Sequence, residues 1–146
     1  MKKVATYCIL ENLRIILEYY YGPTNLEDLI SLRNKLRKET QLNHQFNFLV
    51  DLREADFDLS TDIVDGFIDH VKLNNQLIWK RKTAILTNTP NQAAFSNLYI
   101  THLGNVPIFV NEFNTLEGAL KWIDSSIEIL PFIERKIQEL KVSVME

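Results

Sequence analysis

The chain contains a single cysteine, Cys8, among 146 residues, so no intrachain disulfide and no thiolate metal cage can form. Cys8 lies in the apolar run Tyr7-Cys8-Ile9-Leu10, where a buried and inert thiol is expected, because a reactive one needs electropositive, partly exposed surroundings. Glycine is scarce as well. Gly22, Gly66, Gly104 and Gly118 are dispersed, and no phosphate-cradling loop of P-loop or dinucleotide-binding type can be written from them. There is no G-x-S-x-G elbow. No apolar run approaches the roughly 20 residues of a membrane-spanning helix. Met1-Lys2-Lys3-Val4 leads into no long apolar stretch, so no secretory leader is expected and the expected location is the cytoplasm. Basic residues are not in excess: 16 Lys and Arg against 19 Asp and Glu give a net charge of −3, which argues against general nucleic-acid binding.

What the chain does have is the composition of one globular domain, 46% hydrophobic and 24% charged. Val4 to Leu10 reads as a strand, Glu11-Asn12 as a tight turn, and Leu13 to Tyr20 as a second strand of β-branched and aromatic residues. Gly22-Pro23 breaks the chain. Thr24-Asn25-Leu26-Glu27 then matches a capping box for a first helix, with Leu26, Leu29, Ile30 and Leu36 inward and Arg33, Lys35, Arg37 and Lys38 facing solvent. Phe46 to Leu52 is a nearly continuous apolar run, the signature of a covered central strand. Ile63, Val64, Phe67, Ile68 and Val71 set the clearest amphipathic helix. Thr83 to Thr87 is the next strand. Thr89-Pro90-Asn91-Gln92 caps a third helix ending at Gly104, a left-handed C-cap. Val106 to Val110 is the last strand, and Asn114-Thr115-Leu116-Glu117 opens a fourth helix carrying Leu116, Ala119, Leu120 and Ile123.

The resulting expectation is an α/β fold with a mixed, mostly parallel sheet of about five strands in the order β-β-α-β-α-β-α-β-α, plus a C-terminal helix. Residues 1–124 form the domain and 125–146 a helical extension started or broken at Pro131. Leu130, Ile133, Ile137 and Leu140 draw a narrow seam along that extension, which packs either on the domain or, as a homodimer, on a second copy of the chain.

Over residues 4–124 this order resembles the anti-sigma-factor-antagonist domains and the wider SpoIIAA-like (STAS) group, in particular its uncharacterised bacterial members. The segment carrying the resemblance is Asn47-Phe48-Leu49-Val50-Asp51-Leu52-Arg53, followed by Ala55-Asp56-Phe57-Asp58-Leu59-Ser60-Thr61-Asp62. In that group a hydrophobic strand leads to an Asp-Ser-Ser/Thr-Gly turn at the start of a helix, and a partner kinase phosphorylates the hydroxyl. Ser60 and Thr61 fall on the paired hydroxyls, while Leu59 and Asp62 replace the usual Asp and Gly. The resemblance implies a non-catalytic regulatory or protein-interaction domain whose partner meets Asp56, Ser60, Thr61 and the Thr87-Asn88-Thr89 loop. Lipid-carrying domains share the fold, so a small apolar ligand between sheet and helices is the alternative.

Simpler roles compete at each of these positions. Ser60 is placed to cap the second helix. The acids Asp51, Glu54, Asp56, Asp58, Asp62, Asp65 and Asp69 read as a solvated face, since no EF-hand spacing gathers them on one point. His44, His70 and His102 are far apart in sequence, and none has a His or Cys three or four residues away. Trp79-Lys80-Arg81-Lys82 reads as the solvated entrance to a strand, with contact to an acidic partner or phosphate as the alternative. The tyrosines Tyr19, Tyr20 and Tyr21 alternate faces, which leaves at least one at the surface. No catalytic, cofactor or metal constellation emerges.

Overall fold

A computed structural model describes residues 4–39, 42–57 and 60–145, the side chain of Thr61 excepted. The first two apolar runs pair antiparallel as β1 (Ala5–Leu10) and β2 (Ile15–Pro23), with Ala5 opposite Tyr20 and Leu10 opposite Ile15. Their corner is longer than the expected two-residue turn: Glu11–Leu13 makes a 3-10 turn, and Arg14 takes the left-handed step into β2 at φ 57°. Three parallel strands follow, β3 (Asn47–Asp56), β4 (Arg81–Leu86) and β5 (Ile108–Phe113). They are joined through α1 (Leu26–Leu36), α2 (Thr61–Leu73) and α3 (Pro90–His102). The sheet runs in the order β1-β2-β3-β4-β5, parallel from β2 onwards. Because each crossover advances by one strand with the same hand, the three helices share one face. After β5 the chain crosses to the other face with α4 (Leu116–Trp122) and α5 (Leu130–Met145).

Two apolar layers result. One joins Ile16, Tyr20, Phe48, Val50 and Leu52 to the helical stripe Ile63, Val64, Phe67, Ile68 and Val71, every one of them buried. The other joins Ile15, Leu17, Leu49, Ala84 and Leu86 to Leu116, Ala119, Leu120, Ile133, Ile137 and Val144. Central strands covered on both faces read as unbroken apolar runs, which is why β2 and β3 lack a clean alternation. One irregularity bears on function. Tyr19 pairs with Asp51 but Tyr21 with Glu54, so β3 carries one residue more than β2 over this stretch.

The helix starts follow local chemistry, with one shift. The first cap is Asn25, not Thr24: Asn25 Oδ1 accepts the Asp28 N–H and Asp28 returns the bond to the Asn25 N–H. Thr24 is buried and otherwise engaged, its N–H donating to Asp56 O and its hydroxyl to Gly22 O. Thr89 and Gln92 form the expected box with Pro90 at the first helical position. Thr115, rather than Asn114, caps α4. Gly104 adopts φ 73°, as the left-handed end of α3 requires. Gly66 makes room between helices rather than between helix and sheet, since a Cβ there would stand 2.6 Å from Leu26 Cδ2. Among the described residues no helix is long and apolar enough to cross a membrane.

Candidate functional site

In parallel α/β sheets ligands and partners meet the carboxyl ends of the strands, where loops are free to vary. Here that rim is made by the ends of β2, β3 and β4 and the helices that follow them. It is closely knitted. Gln92, only 2% exposed, receives the N–H groups of Asn88 and Thr89 on Oε1 and donates from Nε2 to Arg53 O and Ala55 O. Asn91 Nδ2 reaches Phe57 O at 3.5 Å, and the Thr24 N–H closes on Asp56 O. The α3 start and the α1 start are thus tied to the same end of β3. Between the α1 start and the end of β3 lies an open hollow of about 440 Å³ lined by Pro23, Thr24, Asn25, Asp56 and Phe57.

The residues expected to meet a partner all fall on this rim. Asp56 ends β3 with its side chain exposed. Ser60 is the N-cap of α2, also exposed and in extended geometry, yet its hydroxyl makes no capping bond to the helix. That differs from the expected cap and leaves the Ser60 hydroxyl, at a helix start, without a hydrogen bond among the described residues. Thr61 is the first residue of α2, and its side chain lies outside the described residues, as do Asp58 and Leu59. Thr89 is exposed, but its hydroxyl accepts the Gln92 N–H at 3.3 Å, so a structural task already occupies it. Asp62, Asp65 and Asp69 are exposed along α2, the solvated face foreseen from their spacing. Asp65 meets His102 Nδ1 at 2.9 Å.

Asp51 departs from that pattern. It is 1% exposed on the face covered by α5, where its carboxylate accepts from the Arg53 N–H, Nε and Nη2. The extra residue in β3 brings Glu54 to the same face, within 3.0 Å of the Tyr19 hydroxyl and 2.9 Å of Lys141 on α5. An open polar groove of about 720 Å³ runs past Asp51, Arg53, Glu54, Glu134 and Lys141. Its charges are largely paired, and burial followed by the bond to Glu54 holds the Tyr19 hydroxyl well above its ordinary range. Among the described residues no group of three His, Cys, Asp or Glu side chains is placed to hold a metal.

A second polar cluster, absent from the sequence reading, lies inside the layer under α1–α3. Arg33, expected on the solvent side of α1, is 4% exposed, and Arg81, expected at a solvated strand entrance, is 3% exposed. Trp79 beside it is buried too, its indole N–H donating to Phe46 O. Arg33 Nη2 stands 3.1 Å from Glu18 Oε2, and the Tyr20 hydroxyl donates to Glu18 Oε1 at 2.8 Å. Both guanidinium groups lie over the Phe48 ring, at 4.8 and 4.1 Å from its centroid. Helical spacing carried the signal: Leu29, Leu32, Arg33 and Leu36 stand at i, i+3, i+4 and i+7 on one face.

No protein-family model matches the chain, and no curated protein matches it. Among solved structures it is similar to an uncharacterised protein of the DUF3478 family with a SpoIIAA-like fold from Shewanella loihica PV-4. The likeness covers 82% of this chain and 94% of that one, with 16% identity and a TM-score of 0.58. The fold is therefore SpoIIAA-like, as the strand order and spacing imply.

Proposed function

We propose that the chain is a non-catalytic STAS-type interaction domain that meets a protein partner through the rim formed by Asp56, Ser60, Thr61 and the Thr87–Thr89 loop. The observation that carries this role is the Ser60 hydroxyl, exposed at the start of a 13-residue helix and not spent on capping it. On the same rim the 440 Å³ hollow, lined by Pro23, Thr24, Asn25, Asp56 and Phe57, offers a concave surface with the polar and apolar edges that interfaces use. Phosphate added at Ser60 or Thr61 would gain from the partial positive charge of the α2 start and lose by repulsion from exposed Asp56 and Asp62. Modification here thus changes the charge of the binding surface without disturbing the core, and the partner reads the difference.

A pull-down from the native cells with wild-type protein, Ser60→Ala and Thr61→Glu tests the assignment. Loss of a partner in either variant is the expected result, and a partner set unchanged in both removes it. A lipid between sheet and helices has less support, because the cavity in that layer measures about 20 Å³, near the size of a single water site.

A further inference from the structure

The interior under α1–α3 combines a small cavity with more buried donors than acceptors. Glu18, Tyr20, Arg33, Thr83 and Tyr99 line the cavity among apolar side chains. Among the described residues, Nε and Nη1 of Arg33, Nε and Nη2 of Arg81 and Oγ1 of Thr83 have no hydrogen-bond partner, against one lone acceptor in the cavity wall, Glu18 Oε2, which faces Arg33 Nη2 at 3.1 Å. Native interiors rarely leave such groups alone, and a buried guanidinium with idle N–H groups is among the costlier cases.

Charge tells the same story. Two arginines are buried in this layer, and Glu18 is the one buried carboxylate facing them among the described residues, because Asp51 is held by Arg53 on the other face of the sheet. Arg37 adds a half-buried positive charge on α1, bonded through Nη1 to the neutral amide of Asn74. Burial, then Arg37 and Arg33, depress the His70 pKa, and burial followed by Arg33 lowers Arg81 to about 9, which still leaves it charged at neutral pH. An uncompensated charge in such an interior is strongly unfavourable unless a counter-ion joins it.

We propose that this layer binds one small monovalent inorganic anion of chloride size, held by the free N–H groups of Arg33 and the hydroxyl of Thr83, with Arg81 supplying the balancing charge. The cavity of about 20 Å³ admits one such ion and excludes phosphate, sulfate or an organic acid. Glu18 opposes it only in part, since one of its oxygens accepts from the Tyr20 hydroxyl, and the other, without a hydrogen bond of its own, stands 3.1 Å from the Arg33 guanidinium that balances its charge. The ion would be part of the folded state, so halide would stabilise the protein by mass action. This site is separate from the rim, and each can fail without the other.

The probe is sodium bromide. Thermal unfolding at fixed ionic strength, with gluconate replaced stepwise by bromide or chloride, is expected to show a saturable rise in Tm of several degrees. Thr83→Val, which removes one bond to a charged ion and little volume, is expected to weaken bromide binding about tenfold. Arg33→Met should abolish the halide dependence. Crystals soaked in bromide should show an anomalous peak against the Arg33 guanidinium. A Tm that is equal in gluconate and bromide, or that drifts with halide without saturating, overturns the proposal. So does a bromide-soaked crystal with only water in the cavity, a result that does not depend on any variant folding.

Discussion

Replacing Glu18 by Gln isolates the charge of the buried pair. Gln keeps the length of the side chain and an oxygen to accept the Tyr20 hydroxyl, so packing and that 2.8 Å bond survive. What is lost is the negative charge facing Arg33 at 3.1 Å, with the two side chains 1% and 5% exposed. Breaking one side of an ion pair at such burial costs about 3–5 kcal/mol, because the remaining charge stays desolvated. Here Arg81 in the same layer adds to the imbalance, which places Glu18→Gln toward the upper end. Against a usual stability of about 5–15 kcal/mol the loss is large. In a chain of this size it corresponds to a fall in Tm of roughly 6–20 °C. Urea unfolding followed by circular dichroism gives the free energy, and Glu18→Leu combined with Arg33→Met should recover most of it, since a well-packed apolar pair replaces buried charge at little cost. A loss below about 1 kcal/mol for Glu18→Gln would refute the reasoning, because a surface-like value means that water reaches the pair.

Further outcomes follow from the same geometry. Ser60→Ala should leave stability within about 0.5 kcal/mol of wild type, because its hydroxyl caps nothing, whereas Thr89→Ala should cost about 1 kcal/mol by opening the α3 cap; parallel urea titrations separate the two. Ile133→Ala on α5, at a fully buried position, should cost about 2–5 kcal/mol in the same assay. A chain ending at Asp124 would bare Ile15 and Leu17 of β2 to water, and it is expected to aggregate or bind a hydrophobic dye rather than fold as a monomer. At alkaline pH the tyrosines set the direction. Burial, helped by Glu39, lifts Tyr7 to about 12, and burial likewise raises Tyr19, Tyr20 and Tyr99. The folded state then holds more phenolic protons than the unfolded one, so stability falls as pH rises above the ordinary value of 10.0, outweighing the opposite contribution of Arg81. Phenolate absorbance should therefore appear together with unfolding; full tyrosine ionisation in a still-folded protein would contradict it.

Much of the fold was legible because it is written in local patterns. The stripe from Ile63 to Val71, the Thr89–Gln92 box and the left-handed Gly104 each follow from neighbours within a few residues. The shifted first cap shows where this ends. Thr24-x-x-Glu27 and Asn25-x-x-Asp28 fit the same motif, and what decides between them is a bond from Thr24 to Asp56, 32 positions along the chain. The buried charges were missed for a related reason. Residue type argues for the surface, while Arg33 is compensated by Glu18 on a strand whose packing against α1 periodicity does not reveal, and Asp51 by Arg53 two positions along its own strand. The hints were positional: Arg33 on the apolar face of α1, and Glu18 within the otherwise unbroken run Ile15 to Tyr20. At the rim the motif located Ser60 and Thr61 at the start of α2, but whether Ser60 caps its helix depends on side-chain geometry, which spacing leaves open.

The partner role of the rim is tested most directly by photocrosslinking in the native cells, with a photoreactive residue placed at position 60. A second probe at exposed Asn105, in the loop before β5 at the opposite end of the sheet, serves as the reference. Position 60 is expected to yield a discrete protein adduct that is absent from position 105 and lost when Asp56 is also changed to Arg. Equal adducts from both positions, or an adduct from position 105 alone, would contradict an interaction surface at the carboxyl ends of the strands.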